Sequence, residues 1–141
     1  MEVDFAFLSD SAELVEGKIY VLGGGIDTLW APQVPSVYTL TCVLKLTFDV
    51  AEIGRKHKLE IHIIDEDGKS IANVGADLEI PGKSPDLPKG WRQSFATVLK
   101  FQNLKLPKFG TYSFNIVVNN TSLKSIPLRL TQLVQTSGPA A

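Results

Sequence analysis

The residues able to do chemistry are few, and their spacing is poor for it. His57 and His62 are the only histidines. Five positions apart on one extended run, they have opposite parity and point to different faces. Neither has a cysteine or second histidine on its own face, so a metal or acid–base role needs partners from other segments. Both are read as solvated surface histidines. Asp65-Glu66-Asp67-Gly68-Lys69 offers acidic oxygens in a turn. A helix-flanked calcium loop needs a bidentate Glu at its twelfth position. Counted from Asp65 that position is Ala76, so the segment reads as a hairpin turn.

Gly23-Gly24-Gly25 invites a phosphate reading. Such a loop must lead into a helix N-terminus, often with Lys-Ser/Thr. Here β-rich sequence follows, so the three glycines read as a structural bulge. Cys42 lies among apolar alternates and reads as an inert core thiol. No serine sits in a nucleophile elbow, and no pair of carboxylates is spaced for acid–base work. The expectation is therefore a protein that is not an enzyme, with no cofactor and no metal. A hydrolase using Asp10, Asp27 or His62 requires those three to converge in space.

Recognition has better candidates. Trp30 and Trp91 each stand beside a long loop, where an exposed indole serves as a binding hot spot or sugar-stacking platform and a buried one plugs the end of a core. The core plug is the default for both. Lys83, Lys89 and Arg92 form a mild positive rim around the loop from Pro81 to Gly90. These five residues are the candidate partner- or ligand-binding set. A small-ligand or carbohydrate binder using both tryptophans and that loop is the alternative to a protein-binding module.

The elements that position these groups follow from two-residue alternation. From Val37 to Phe48 the even positions are Tyr38, Leu40, Cys42, Leu44, Leu46 and Phe48, and the odd ones are mostly polar. That sorts one face to oil and the other mostly to water. The pattern recurs in Leu59–Ile63, Ala72–Ile80, Trp91–Phe101, Tyr112–Val118 and Ile126–Leu130. Val3–Leu8, Lys18–Leu22 and Ile26–Trp30 read as further strands. The glycines between the last two predict one kinked strand or two short ones crossing between sheets. Pro127 lacks an N–H and belongs to an edge or to a strand paired on one side there. Glu16-Gly17, Asp65–Gly68 and Asn119-Asn120 are hairpin turns. The overlapping sequons at Asn119 and Asn120 are a chance feature of the last one. A short helical turn is expected near Val50–Ile53.

About eight such strands make an all-β domain, an antiparallel β-sandwich of immunoglobulin-like or jelly-roll-like type. The long connections after Trp30 and Ile80 favour the sandwich. The 141 residues form one domain over 1–135 with a frayed tail at 136–141. The chain is 44% hydrophobic with net charge −1. That excludes disorder and leaves no electrostatic footprint for nucleic acid. No window is long enough for a membrane span, the acidic start does not suit a signal peptide, and one cysteine rules out a disulfide framework. Cytoplasmic location and a protein partner follow as expectations, with a homo-oligomer through an edge strand or sheet face.

Two resemblances accompany this reading. Phe109-Gly110-Thr111-Tyr112-Ser113-Phe114 resembles the Gly-x-Tyr corner of immunoglobulin-like sandwiches, which implies structural roles for Gly110 and for a Tyr112 hydroxyl bonded to backbone upstream. The cysteine pair of antibody domains is absent. The series Phe5-x-x-x-Ser9-Asp10-x-Ala12-Glu13, Gly17-Lys18, Leu22-Gly23-Gly24-Gly25-Ile26, Ile64-Asp65-x-Asp67-Gly68 and Gly110-x-Tyr112-x-Phe114 is similar to an uncharacterised prokaryotic domain-of-unknown-function family of small stand-alone proteins. That similarity implies a β-sandwich and transfers no catalytic residue.

Overall fold

Strands dominate because β-branched, aromatic and leucine side chains alternate with polar ones over runs too regular for a helix. The computed structural model describes residues 1–80, 82 and 87–134. Among the described residues nine strands occur: β1 (Glu2–Val15), β2 (Lys18–Gly24), β3 (Thr28–Ala31), β4 (Ser36–Phe48), β5 (Lys56–Asp65), β6 (Ser70–Glu79), β7 (Gln93–Leu106), β8 (Gly110–Val118) and β9 (Thr121–Gln132). A 3-10 turn, Val50–Glu52, lies where the helical turn is expected. Among the described residues no helix is long and apolar enough to cross a membrane. The tail at 136–141 lies outside the described residues.

A four-stranded sheet in the order β2-β1-β4-β7 faces a five-stranded sheet in the order β3-β9-β8-β5-β6. Pairing is antiparallel except between β3 and β9, which run parallel. The exception follows from a crossing: the chain leaves β2 in the first sheet through Gly25–Asp27 and enters the second as β3. The glycines thus separate two short strands in different sheets. Pro127 pairs with Ser113 on one side, and β3 begins beyond it at Arg129, so its missing N–H leaves no gap in a ladder.

One core fills the space between the sheets. Leu40, Cys42, Leu44, Leu46 and Phe48 of β4 meet Leu59, Ile61 and Ile63 of β5 and Phe114 and Ile116 of β8, all nearly or fully buried. Phe101 packs edge-on against Phe114 with ring centroids 5.5 Å apart. On β7 the register against β4 shifts by one residue between Leu40 and Tyr38, at Asn103 with φ +54°. That bulge lets both Phe101 and Leu104 face inward.

The odd face of β4 departs from expectation. Thr41 and Val43 are buried as deeply as the core. The second half of β1 leaves β4 after Ser9 and pairs only with β2. This two-stranded arm folds back over the outside of its own sheet. Its Leu14, Gly17 and Ile19 border one groove with Phe5, Lys45 and Ala96 of the sheet beneath. Val21 of the arm and Phe7 of the sheet both pack at Gly24. The arm's other side, with Tyr20 and Leu22, faces solvent.

The bend is built from glycine. Gly23 has φ +65°, and a Cβ there would lie 2.2 Å from the Asp10 carboxylate. At Gly24 a Cβ would stand 3.0 Å from Val21 Cγ1 and 3.1 Å from Phe7 Cε2. Gly23→Ala is therefore expected to destabilise the fold by about 1–3 kcal/mol. Gly75→Ala, which meets only ordinary contacts at 3.6 Å and 3.7 Å, is expected to stay within about 0.5 kcal/mol of the parent. Urea unfolding midpoints of the two variants measure the contrast.

Candidate functional site

Two connections build the place where several of the candidate binding residues meet. β4 ends at Phe48, and the 3-10 turn Val50–Glu52 follows at once. Opposite it, Pro88-Lys89-Gly90-Trp91 forms a tight turn closed by Trp91 N–H donating to Pro88 O at 3.1 Å. Gly90 supplies the positive φ of +87° that a type II turn requires at its third residue. Between these walls lies a cleft of about 320 Å³ lined by Phe48, Val50, Ile53, Leu87, Pro88 and Trp91, with Lys89 and Arg92 on its border. Trp91 is 69% exposed and Val50 74%.

Arg92 is a brace and not a free rim cation. Its Nη1 donates to Glu2 Oε2 at 2.7 Å and its Nη2 to Asp49 Oδ1 at 3.1 Å. The hydrogen bond to Glu2, then the nearby charges of Glu2 and Asp49, raise its already high pKa. The guanidinium ties the starts of β1 and β7 to the end of β4. Lys83 lies outside the described residues.

A hydrogen-bonded chain holds the wall formed by the 3-10 turn. His57 is buried, contrary to the expectation of a solvated surface histidine, because its parity matches Leu59 and Ile61 on the core face. Its Nε2–H donates to Glu52 O at 2.9 Å, and its Nδ1 accepts from Asn119 Nδ2 at 2.8 Å. Asn119 Oδ1 in turn accepts from Lys58 N–H at 3.0 Å. These bonds fix the ring as the neutral Nε2–H tautomer. Asn119 also takes φ +49° in the two-residue turn before β9. The asparagine that opens the first sequon is thus explained by turn geometry and by this histidine. His62 lies on the outer face, with Nε2 2.9 Å from Glu60 Oε2.

Trp30 stands elsewhere. It projects outward from β3, 58% exposed, and its carbonyl accepts from Tyr38 Oη at 3.4 Å. Trp91 precedes Gln93, which pairs with Phe48 at the other end of β4. Tyr38 and Phe48 are ten positions apart on that strand, which is roughly 33 Å. One site cannot use both tryptophans, and neither is a core plug. The reason is local: Trp30 alternates with the buried Ala31, and Trp91 falls before the first residue of β7.

The remaining singled-out residues act structurally or stand apart. Tyr112 Oη donates to Lys108 O at 2.5 Å and accepts from Lys108 N at 3.2 Å, across the passage from β7 to β8. Gly110, with φ +136°, leaves room that a Cβ would take from the Glu66 carboxylate, 2.6 Å away. Asp65 Oδ1 accepts from the backbone of Asp67 and Lys69 at 3.0 and 2.9 Å. Lys108 Nζ lies 2.6 Å from Asp67 Oδ2 and 3.5 Å from Asp65 Oδ2. The Lys69 N–H bond, partly opposed by burial and helped by Asp67 and Lys108, holds the Asp65 carboxyl below its ordinary range. Among the described residues no three His, Cys, Asp or Glu side chains are grouped to hold a metal ion. Asp10 belongs to the four-stranded sheet and His62 to the other face of the five-stranded one, so the hydrolase constellation does not assemble. Burial pushes the Cys42 thiol up to about 12.

Sequence reading missed Val50, Ile53 and Leu87 as cleft walls. The Pro-x-Gly-Trp turn was the available signal.

Asn119→Ala is expected to cost about 1–2 kcal/mol, since it strands a buried imidazole nitrogen and the Lys58 N–H. Denaturant titration measures it, and the Nε2–H tautomer is read from imidazole nitrogen shifts by NMR. For Asp65, a depressed carboxyl contributes stability that is fully present above the unfolded value of about 3.9. That contribution is lost as pH falls through the lower folded value. Asp65→Asn is expected to flatten the acid-side loss of stability below about pH 4. Urea midpoints followed from neutral to acid pH show whether the slope changes.

No curated protein matches this chain. A family model described as a family of unknown function (DUF6941) matches residues 4–131. That span takes in all nine strands but for the first two residues of β1 and the last of β9, and the chain belongs to that family.

Proposed function

We propose that this chain is a non-enzymatic protein-binding module whose working surface is the Trp91 cleft. The observation that carries the reading is that Trp91 and Val50, both largely exposed, line one cleft with Phe48, Ile53 and Leu87. An indole held by a closed turn loses little entropy on contact and presents a large apolar area, which is how hot spots are built. Arg92, beside Trp91, is already matched by Glu2 and Asp49, and Lys89 stands at the border. The apolar walls suit an apolar or aromatic side chain from a partner.

Other parts of the reading rest on single supports. One buried, free cysteine suits a cytoplasmic home. The bond from Tyr112 to the Lys108 backbone supports kinship of that corner with immunoglobulin-like sandwiches. A small-ligand site built on both tryptophans finds no support, since they lie at opposite ends of β4.

Selection of a displayed random-peptide library on the immobilised protein tests the proposal. Peptides with a recurrent aromatic or large aliphatic anchor are expected. Trp91→Ala is expected to weaken their binding by about 30-fold, equivalent to about 2 kcal/mol, and Trp30→Ala to leave it unchanged. Selected peptides that bind both variants equally, or a library that yields no binder, would sink the reading.

A further inference from the structure

A sheet edge is a row of unpaired N–H and C=O groups, and proteins blunt such edges with charge, bulges, brevity or cover. The two sheets have four. β3 is four residues long. β6 carries Asn73, Gly75, Asp77 and Glu79. β7 is uncharged from Ser94 to Leu99, but most of that run is half-buried and the strand lies against β6 across the sandwich. β2 alone presents an uncharged apolar run, Ile19-Tyr20-Val21-Leu22, on an open edge. Its outward side chains Tyr20 and Leu22 are 57% and 74% exposed.

Register shows which groups are free. Glu16 and Gly17, both at positive φ, form a two-residue turn closed by Val15 and Lys18. In such a hairpin the closing pair is hydrogen-bonded and bonded pairs alternate from there. Lys18, Tyr20 and Leu22 therefore spend their backbone groups on β1. Ile19 and Val21 direct theirs to the open side.

We infer that two copies of this chain pair antiparallel along β2, joining their arms into one continuous ribbon. A two-fold axis perpendicular to the sheet keeps like faces together and requires opposed residues of equal parity. Centred on Tyr20, it sets Ile19 against Val21 of the second copy in both directions, giving four ladder bonds. The two Tyr20 rings meet on the axis as a non-hydrogen-bonded pair, the closest kind. Lys18 opposes Leu22 of the second copy, and the two lysines stay roughly 13 Å apart along the strands. Charge favours this partner. Asp10 lies over Gly23, and in this register Gly23 of one copy falls across from Gly17 of the other, beside Lys18. Among the described residues neither Asp10 nor Lys18 is in an ion pair within its own chain. Two complementary contacts thus form at the ends of an apolar centre.

This inference is independent of the Trp91 cleft, and its test uses different residues. Sedimentation equilibrium over about 1–200 µM is expected to give twice the 15.4 kDa of one chain. The double variant Tyr20→Lys, Leu22→Lys is expected to sediment as a monomer with the parent's far-ultraviolet circular-dichroism spectrum, because both side chains are exposed. Trp30→Ala, an equally exposed apolar loss, is expected to remain dimeric. Register is read by oxidation: Tyr20→Cys should form a disulfide-linked dimer readily and Leu22→Cys should not, with the native Cys42 buried and silent. A parent chain that stays monomeric throughout, a double-lysine variant that stays dimeric, or Leu22→Cys linking as fast as Tyr20→Cys overturns the proposal.

Discussion

The burial of β4 on both faces is the constraint from which the rest of this molecule follows. Two layers cannot supply it. The outer side of the four-stranded sheet carries Phe5, Phe7, Val43 and Val98 in neighbouring registers, and water would otherwise reach all of them. Covering a side chain such as Val43 is worth about 1.5–2 kcal/mol, so a third layer is strongly favoured. The chain makes that layer from its own first hairpin. The bend is satisfied where it forms: Ser9, fully buried, donates its hydroxyl to Thr41 O at 3.2 Å, and Leu8 O accepts from both Gly25 and Ile26. A polar group buried in a bend without such partners would cost about 1–3 kcal/mol, a large part of what the hairpin recovers. Once β2 lies on top of the sheet, its far edge has no strand neighbour among the described residues.

The chain passes between the two sheets five times, and local chemistry marks four of these passages. Glycine serves after β2, where Asp10 and Phe7 leave no room for a Cβ. The His57–Asn119 chain anchors the 3-10 turn after β4. The Tyr112 hydroxyl grips the Lys108 backbone after β7. The connections after β4 and after β6 end side by side, and the Trp91 cleft is the gap between them. Its shape is thus a consequence of two crossings, one braced by a buried imidazole and the other closed by a Gly90 turn.

Strand existence was legible because alternation with period two survives almost any context, as in Val37–Phe48. What escaped depended on contacts distant in sequence. The polar-looking odd face of that strand is covered by residues thirty positions earlier, and alternation says which face a residue takes, not what lies over it. β7 outran its expected end because the bulge at Asn103 swaps parity, so Leu104 and Leu106 look misplaced to a strict period. His57 was misjudged although its parity with Leu59 was visible, since a buried imidazole is tolerable only with partners, and those come from Glu52 and from Asn119, 62 residues away. At the cleft, Trp91, Lys89 and Arg92 stand out in sequence through their loop. Trp30 was grouped with them because sequence carries no information about which end of a strand a neighbouring loop occupies.

The distribution of satisfied and unsatisfied groups argues for what kind of surface this is. The close ionic contacts pair off within the chain: Arg92 with Glu2 and Asp49, Lys108 with Asp65 and Asp67, His62 and Lys58 with Glu60. Groups already matched have little left to offer a partner, and they steer weakly through salt. Exposed large apolar side chains include Trp91 and Val50 at the cleft, Tyr20 and Leu22 on the arm, and Trp30 on β3. Scattered exposed apolar residues are ordinary on any protein surface. These are different in that each pair sits on a rigid support, a closed turn facing a braced 3-10 turn in one case and an ordered hairpin in the other. These supports present apolar area on preorganised backbone, while the ion pairs at Arg92 and Lys108 are turned to holding the fold.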